Sequence, residues 1–287
     1  MAVKFGSSAI GGIVFGGIAM GRAYMGDSLV FPALQSNTIR FKFESGVDPS
    51  SATWLGAWVR KSAIPNIWDC HPNSSSWQYK FSGMSYPIYG DYEIVSMNMH
   101  GVTDATGAFS NNPGLVKVSG VTGVDNVQSL VGMFSECSNL ARVEHLFSDN
   151  VIDCTRMFRN CTSLVAAKTW LSPSKTQQMF YGCSSLVNMP DMYMGLVNDA
   201  SSMYYGCSSL ASIESHSGNF SDYLAIGNAD YMFYNCVNVA SGIIDLYNVW
   251  TGSPPLGNPS HASTFYNCGI NSASGSQELA QIPASWK

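Results

Sequence analysis

The side chains of this 287-residue chain that could do nucleophilic or metal chemistry are eight cysteines, five histidines and one compact triplet, Asp69-Cys70-His71. A cysteine nucleophile needs an imidazole within hydrogen-bond reach, and a structural zinc needs Cys and His pairs at short spacings. Adjacent residues on a strand point to opposite faces, so the triplet forms no dyad without a special turn. His71, His100, His145, His216 and His261 lack an HExxH or i,i+4 partner, and there is no CxxC. Gly11-Gly12 and Gly16-Gly17 fit neither the dinucleotide nor the phosphate-loop pattern. Glycan hydrolysis would need two facing carboxylates, which sequence alone cannot pair. The expectation is a protein that is not an enzyme, with no catalytic residue, metal or cofactor. Charged residues make up 11% of the chain and the net charge is -5, with no Lys/Arg cluster to grip a phosphate backbone, so no nucleic-acid partner is expected.

Stepping along the cysteines shows what positions them. Met133-Phe-Ser-Glu-Cys137-Ser-Asn-Leu140 is followed by related runs around Cys161, Cys183 and Cys207. Met232-Phe-Tyr-Asn-Cys236 and a degenerate Thr264-Phe-Tyr-Asn-Cys268 follow, and an earlier copy has Asn112 in the Cys position. The pattern is M-F-x-x-C-x-x-L. Its aromatic anchors Phe109, Phe134, Phe158, Phe180, Tyr204, Phe233 and Phe265 lie 25, 24, 22, 24, 29 and 32 residues apart. A period in the twenties is that of a stacked-coil repeat. The expected strands are Leu140–Val143, Leu164–Ala167, Leu186–Met189 and Leu210–Ile213, and the M-F segments are expected to make one helical turn. Cys137, Cys161, Cys183, Cys207, Cys236 and Cys268 then share one structural position and form an inward ladder of free thiols. Side chains pointing in parallel have the wrong geometry for disulfides.

The residue after the anchor becomes Tyr181, Tyr205, Tyr234 and Tyr266 in the last four copies. Stacked coils would line these up as an aromatic strip suited to sugar rings or a protein partner. The competing reading, commoner for tyrosine, packs the rings over the next coil or under the long intervals at 215–228 and 241–259, which are expected as surface insertions.

The tandem M-F-x-x-C-x-x-L copies over residues 102–270 resemble the BspA-type leucine-rich repeats of bacterial surface proteins. That resemblance implies a binding array without catalytic residues. Phe5 to Gly21 is uncharged, but its six glycines argue against a membrane helix or secretion signal, and short Gly-punctuated strands with a hairpin over Tyr24–Phe31 are expected. This opening is similar to the N-termini of virion and fibre proteins of tailed (crAss-like) phages of gut bacteria, which implies docking to the particle.

The expected fold is mainly β: N-terminal anchor strands and a small antiparallel β module, then a leucine-rich-repeat solenoid of about seven coils. Residues 1–34 would be the docking segment, 35–101 the antiparallel domain, 102–270 the solenoid and 271–287 a helix-plus-Trp cap. The expected function is a phage virion protein, head or tail fibre or decoration, that adheres to a host-surface protein or glycan. Its partners would be other virion proteins through residues 1–31 and the host surface, with homo-oligomerisation and without membrane insertion. The alternative is a BspA-type adhesin on the bacterial cell surface; a third class is a surface-glycan hydrolase.

Overall fold

The computed structural model describes residues 37–52, 55–60, 66–72, 74, 76–84, 90–214, 220–252 and 258–287, and the backbone of four short strands before them. The chain divides into Met1–Gln35 and Ser36–Lys287. In the first unit β1 (Val3–Phe5) pairs antiparallel with β2 (Ser8–Ile10), and β3 (Ala23–Met25) with β4 (Ser28–Val30). The second pairing lies where the sequence places the Tyr24–Phe31 hairpin. Gly26, Asp27, Phe31 and all side chains of residues 1–34, to which docking is assigned, lie outside the described residues.

The second unit is built on β5 (Thr38–Phe43), β6 (Ala57–Arg60), β7 (Ile67–His71), β8 (Tyr92–Asn98), β9 (Leu115–Val118), β10 (Val121–Thr122), β11 (Arg142–Ser148) and β12 (Ala166–Leu171). They form one eight-stranded sheet in the order β12-β11-β9-β8-β5-β7-β6, with β10 on β8. The β6-β7-β5-β8 part is antiparallel and the β8-β9-β11-β12 part is parallel. A parallel pair cannot be joined by a tight hairpin. Here each crossover is the other side of a coil, so the parallel strands wind a β-solenoid of about three turns.

β5 shows why the two parts are inseparable. Ile39, Phe41 and Phe43 alternate inward and pack with Tyr92 and Phe81, while β5 pairs with β8 along its length. The sequence-based boundary at 101/102 is therefore not a structural division: β8 belongs to both parts. Ser76–Phe81, which lies within the 35–101 bounds of the expected antiparallel domain, is the turn side of a coil. Its Phe81 ring stacks on Phe109 at 5.0 Å, and Ser76 bridges in parallel to Asp104.

The M-F-x-x-C segment is not a helical turn. Each copy places two residues four apart in the left-handed region: Gly107 and Asn111, Gly132 and Glu136, Arg156 and Asn160, Gln178 and Gly182. The same holds for Ser202 and Gly206, Tyr231 and Asn235, Ser263 and Asn267. These residues alternate the direction of the peptide planes. The N–H groups of Ala105, Gly107, Phe109 and Asn111 thus leave the coil and donate to Ser129, Val131, Met133 and Ser135 of the next. The same four bonds recur in the coils that follow, through to Asn235 donating to Tyr266. Gly and Asn recur at the second left-handed position because other residues are strained there.

The strand side is less regular. Leu186–Met189 and Leu210–Ile213 are not strands. Pro190 follows Met189 without an N–H to give to a ladder, and isolated backbone bonds remain there, such as Ala211 to Val187 at 3.0 Å. The described residues of the two long intervals carry buried side chains. The first contains a 3-10 segment, Phe220–Ala225, with Tyr223 buried; the second forms α1 (Ile243–Thr251), with Ile243, Leu246 and Trp250 buried at helical spacing. The Trp250 indole donates to the Tyr223 carbonyl at 3.0 Å and ties the two together.

After α2 (Ala273–Gln281), Trp286 stacks on Phe265, Trp250 and His261. Its carbonyl accepts from the Phe265 N–H at 2.9 Å, the bond that a further coil would otherwise supply.

Candidate functional site

Three constellations carry the side chains singled out by sequence. On β7, Asp69 is held in a bidentate pair with Arg40 at 2.6 and 2.8 Å, both side chains almost fully buried. Cys70 turns to the opposite, apolar face, where burial pushes its thiol up to about 12. The His71 Nδ1 lies 2.9 Å from the Thr38 hydroxyl. Strand alternation puts Cys70 on the face opposite Asp69 and His71, and Arg40 and Thr38 of β5 are partners of the latter two.

The six ladder cysteines occupy one interior line, and all eight thiols are free and buried. Each of Cys137, Cys161, Cys183, Cys207 and Cys236 donates to the carbonyl of the aromatic anchor one coil earlier, at 3.0 to 3.1 Å. Asn112, in the Cys position of the earlier copy, makes the same bond through its amide to Phe81 O at 2.7 Å. Cys268 is buried at the top of the line. Desolvation is the main cause that raises every ladder thiol, to about 12 for Cys137 and well up for the rest. Such thiols carry no thiolate at neutral pH and are poor nucleophiles. They act as short second donors to a carbonyl that already accepts from its own coil, as Phe134 O does from the Cys137 N–H and Phe109 O from the Asn112 amide.

Beside this line the anchors form a buried ring ladder. Centroids lie 5.0 to 6.0 Å apart from Phe81 through Phe265, with interplanar angles of 4 to 12°.

The neighbouring column reaches the surface. Tyr181–Tyr205, Tyr205–Tyr234 and Tyr234–Tyr266 stack at 4.6, 4.7 and 4.6 Å. Tyr181, Tyr205 and Tyr234 are half-buried and Tyr266 is 41% exposed. Each ring stacks on its neighbour and stays partly in solvent. Partial desolvation, then the flanking Tyr181 and Tyr234, raise the Tyr205 phenol. At the lower end the Arg159 guanidinium lies 5.4 Å over the Tyr181 ring and is ion-paired to Glu136 at 2.7 Å. Tyr266, at the upper end, has no ring on its outer side among the described residues. Below Arg159 the column continues as Ser135, Ser110 and Ser82, the last two hydroxyls 2.8 Å apart. The strip is thus a four-ring stack with one end closed by a cation and the other open.

A second concavity was missed by sequence reasoning. An open groove of about 640 Å³ is lined by Thr103, Asp125, Asn126, Gln128, Asp149 and Asn150, among others. The Asp-Asn dipeptide recurring 24 residues apart was its available signal. No group of three or more His, Cys, Asp or Glu among the described residues could hold a metal, and no helix among them is long and apolar enough to cross a membrane.

These features define a β-solenoid with a thiol and aromatic interior. Residues 76–193 match a family model described as a Mycoplasma protein of unknown function, DUF285, and this fits a repeat protein of the BspA type. The match begins at Ser76, the residue that opens the chain of parallel bridges running to Ser260. No curated protein and no solved structure matches the chain.

Proposed function

We propose that this protein is a phage virion structural protein, a head or tail fibre or decoration. Residues 1–31 dock it to the particle, and the solenoid is displayed for adhesion to a host-surface protein or glycan. In this reading the bridges from Ser76 to Ser260 count seven coil-to-coil steps, a stack long enough to present a repeating surface. The observation that carries the proposal is the Tyr181–Tyr266 strip, an aromatic edge kept in solvent on an array whose other aromatic ladder is fully buried. Ring faces inside the stack are occupied by one another. A ligand therefore meets the edges and hydroxyls of Tyr205 and Tyr234, and a sugar ring stacks only on the outer face of Tyr266.

The test is binding of purified protein to host cells and to their extracted surface glycans. Tyr266→Ala is expected to weaken binding tenfold or more, and Tyr205→Ala with Tyr234→Ala less, each with unchanged folding by circular dichroism. Unchanged binding in all three removes the strip. Mass spectrometry of purified particles tests the location: a fixed copy number supports the virion reading, and absence overturns it. The second reading, a bacterial cell-surface adhesin of the BspA type, is favoured by the family model matching residues 76–193, and surface proteolysis of intact bacterial cells would detect it.

A further inference from the structure

Between the strand side and the turn side each coil passes a corner. Its middle residue, Val102, Val127 or Val151 in successive coils, turns into the core. The residues on either side of each valine are exposed and make two rails. Gly101, Asn126 and Asn150 form one, and Thr103, Gln128 and Ile152 the other. Asp125 and Asp149, also exposed, precede the first rail. Packing does not dictate these side chains: in the next two coils the asparagine position holds Ser172 and Leu196.

The rails line the open groove of about 640 Å³, a size within the range of about 300–1,000 Å³ for small-molecule sites. They are fixed coil to coil. The Gln128 N–H donates to Thr103 O at 3.0 Å, and the Ile152 N–H to Gln128 O at 2.9 Å. On the other rail the Asn150 amide donates to Asp125 O at 2.9 Å, and the Ser172 hydroxyl to Asp149 Oδ1 at 3.3 Å. The Asn126 and Gln128 amides, the Thr103 hydroxyl and the Asp125 carboxylate have no hydrogen-bond partner among the described residues.

This set offers donors and acceptors side by side, which matches ligand hydroxyls that do both. The lining holds two carboxylates and no Lys or Arg, so an anionic ligand meets like charge. Lys175, one coil on, is ion-paired with Asp153 at 3.6 Å. A cationic peptide would use the carboxylates and leave the amides and the hydroxyl idle. Ile152, 49% exposed, supplies an apolar wall for the C–H face of a sugar ring. We infer that the groove is a binding site for a neutral oligosaccharide. It shares no residue with the Tyr strip, and its chemistry is the same whether the chain is mounted on a particle or on a cell.

The experiment titrates the full chain, by calorimetry and saturation-transfer NMR, with the neutral sugars lactose, maltotriose and chitotriose. Sialyllactose and trigalacturonate serve as acidic probes, and tetralysine as the cationic one. A neutral sugar is expected to bind. Asn126→Ala and Gln128→Ala, both at exposed positions, are each expected to weaken it about five- to tenfold with unchanged circular dichroism. Tyr266→Ala is expected to leave it unchanged. The inference is overturned if none of the three neutral sugars binds, or if an acidic sugar or tetralysine binds more tightly. Binding that survives Asn126→Ala and Gln128→Ala but is lost in Tyr266→Ala places the sugar on the strip and equally removes the groove.

Discussion

Between residues 76 and 268 the turn side of the solenoid repeats the same bonds coil after coil, whereas the strand side takes three successive constructions. Up to Leu171 it is paired strand, through residues 187–194 and 211–214 it is irregular chain, and beyond that it is a 3-10 segment and α1. The reason is where the polar backbone goes. On the turn side every second N–H is directed into the next coil, and a buried unpaired group there has no water to fall back on. On the strand side the outer face meets solvent, or an added helix, which can replace the ladder. Repetition is enforced where substitution by water is impossible.

The comparison can be broken most severely by alkali. Ladder thiols raised by burial stay protonated in the folded chain, while the unfolded chain ionises its thiols near pH 8.5. Stability is full below that value and is lost as pH rises toward the folded thiols' own range, about 12 for Cys137. Cooperative unfolding is expected on titration from about pH 9 to 11, followed by circular dichroism, and the same thiols should resist a disulfide reagent at pH 8 until denaturant is added.

Phe158→Ala removes one rung of the buried ladder and is expected to cost about 3–5 kcal/mol in urea denaturation. Cys161→Ala removes a buried sulfur and the second donor to the Phe134 carbonyl, which keeps the Cys137 N–H, and is expected to cost about 1–2 kcal/mol. Gly206→Ala has space for its methyl but must hold φ near 72°, for about 1–2 kcal/mol. Val165→Ser, on the exposed strand side, should stay within about 0.5 kcal/mol. A Val165 effect as large as that of Cys161 would erase the distinction between the two sides.

What sequence made legible follows the same division. M-F-x-x-C-x-x-L is a turn-side pattern, and it located the ring ladder, the thiol line and the Tyr column by residue number. It did not reveal the left-handed positions, although Asn160, Gly182, Gly206, Asn235 and Asn267 before the Cys were a readable signal. The strand side was misplaced because two apolar residues three apart, as in Leu186 and Met189, fit a loop as well as a strand. Ile243, Leu246 and Trp250 carry a helical period inside an interval that the repeat pattern leaves blank. The Ser76–Phe81 copy carries neither the Met nor the Cys of the pattern, so the pattern does not reach it. The depth of the Tyr strip depends on offsets between coils that no single sequence position encodes.

The cap at Trp286 stands in for a coil, and the four recurring turn-side N–H bonds of each coil run to the coil after it. Length is therefore quantised. A deletion or duplication of one whole repeat rejoins donors to acceptors in register and moves the cap by one strand spacing, about 4.8 Å. Removal of only a few residues strands a full set of N–H groups. Such a chain can lengthen or shorten its reach in whole steps while the cap still fits the last one.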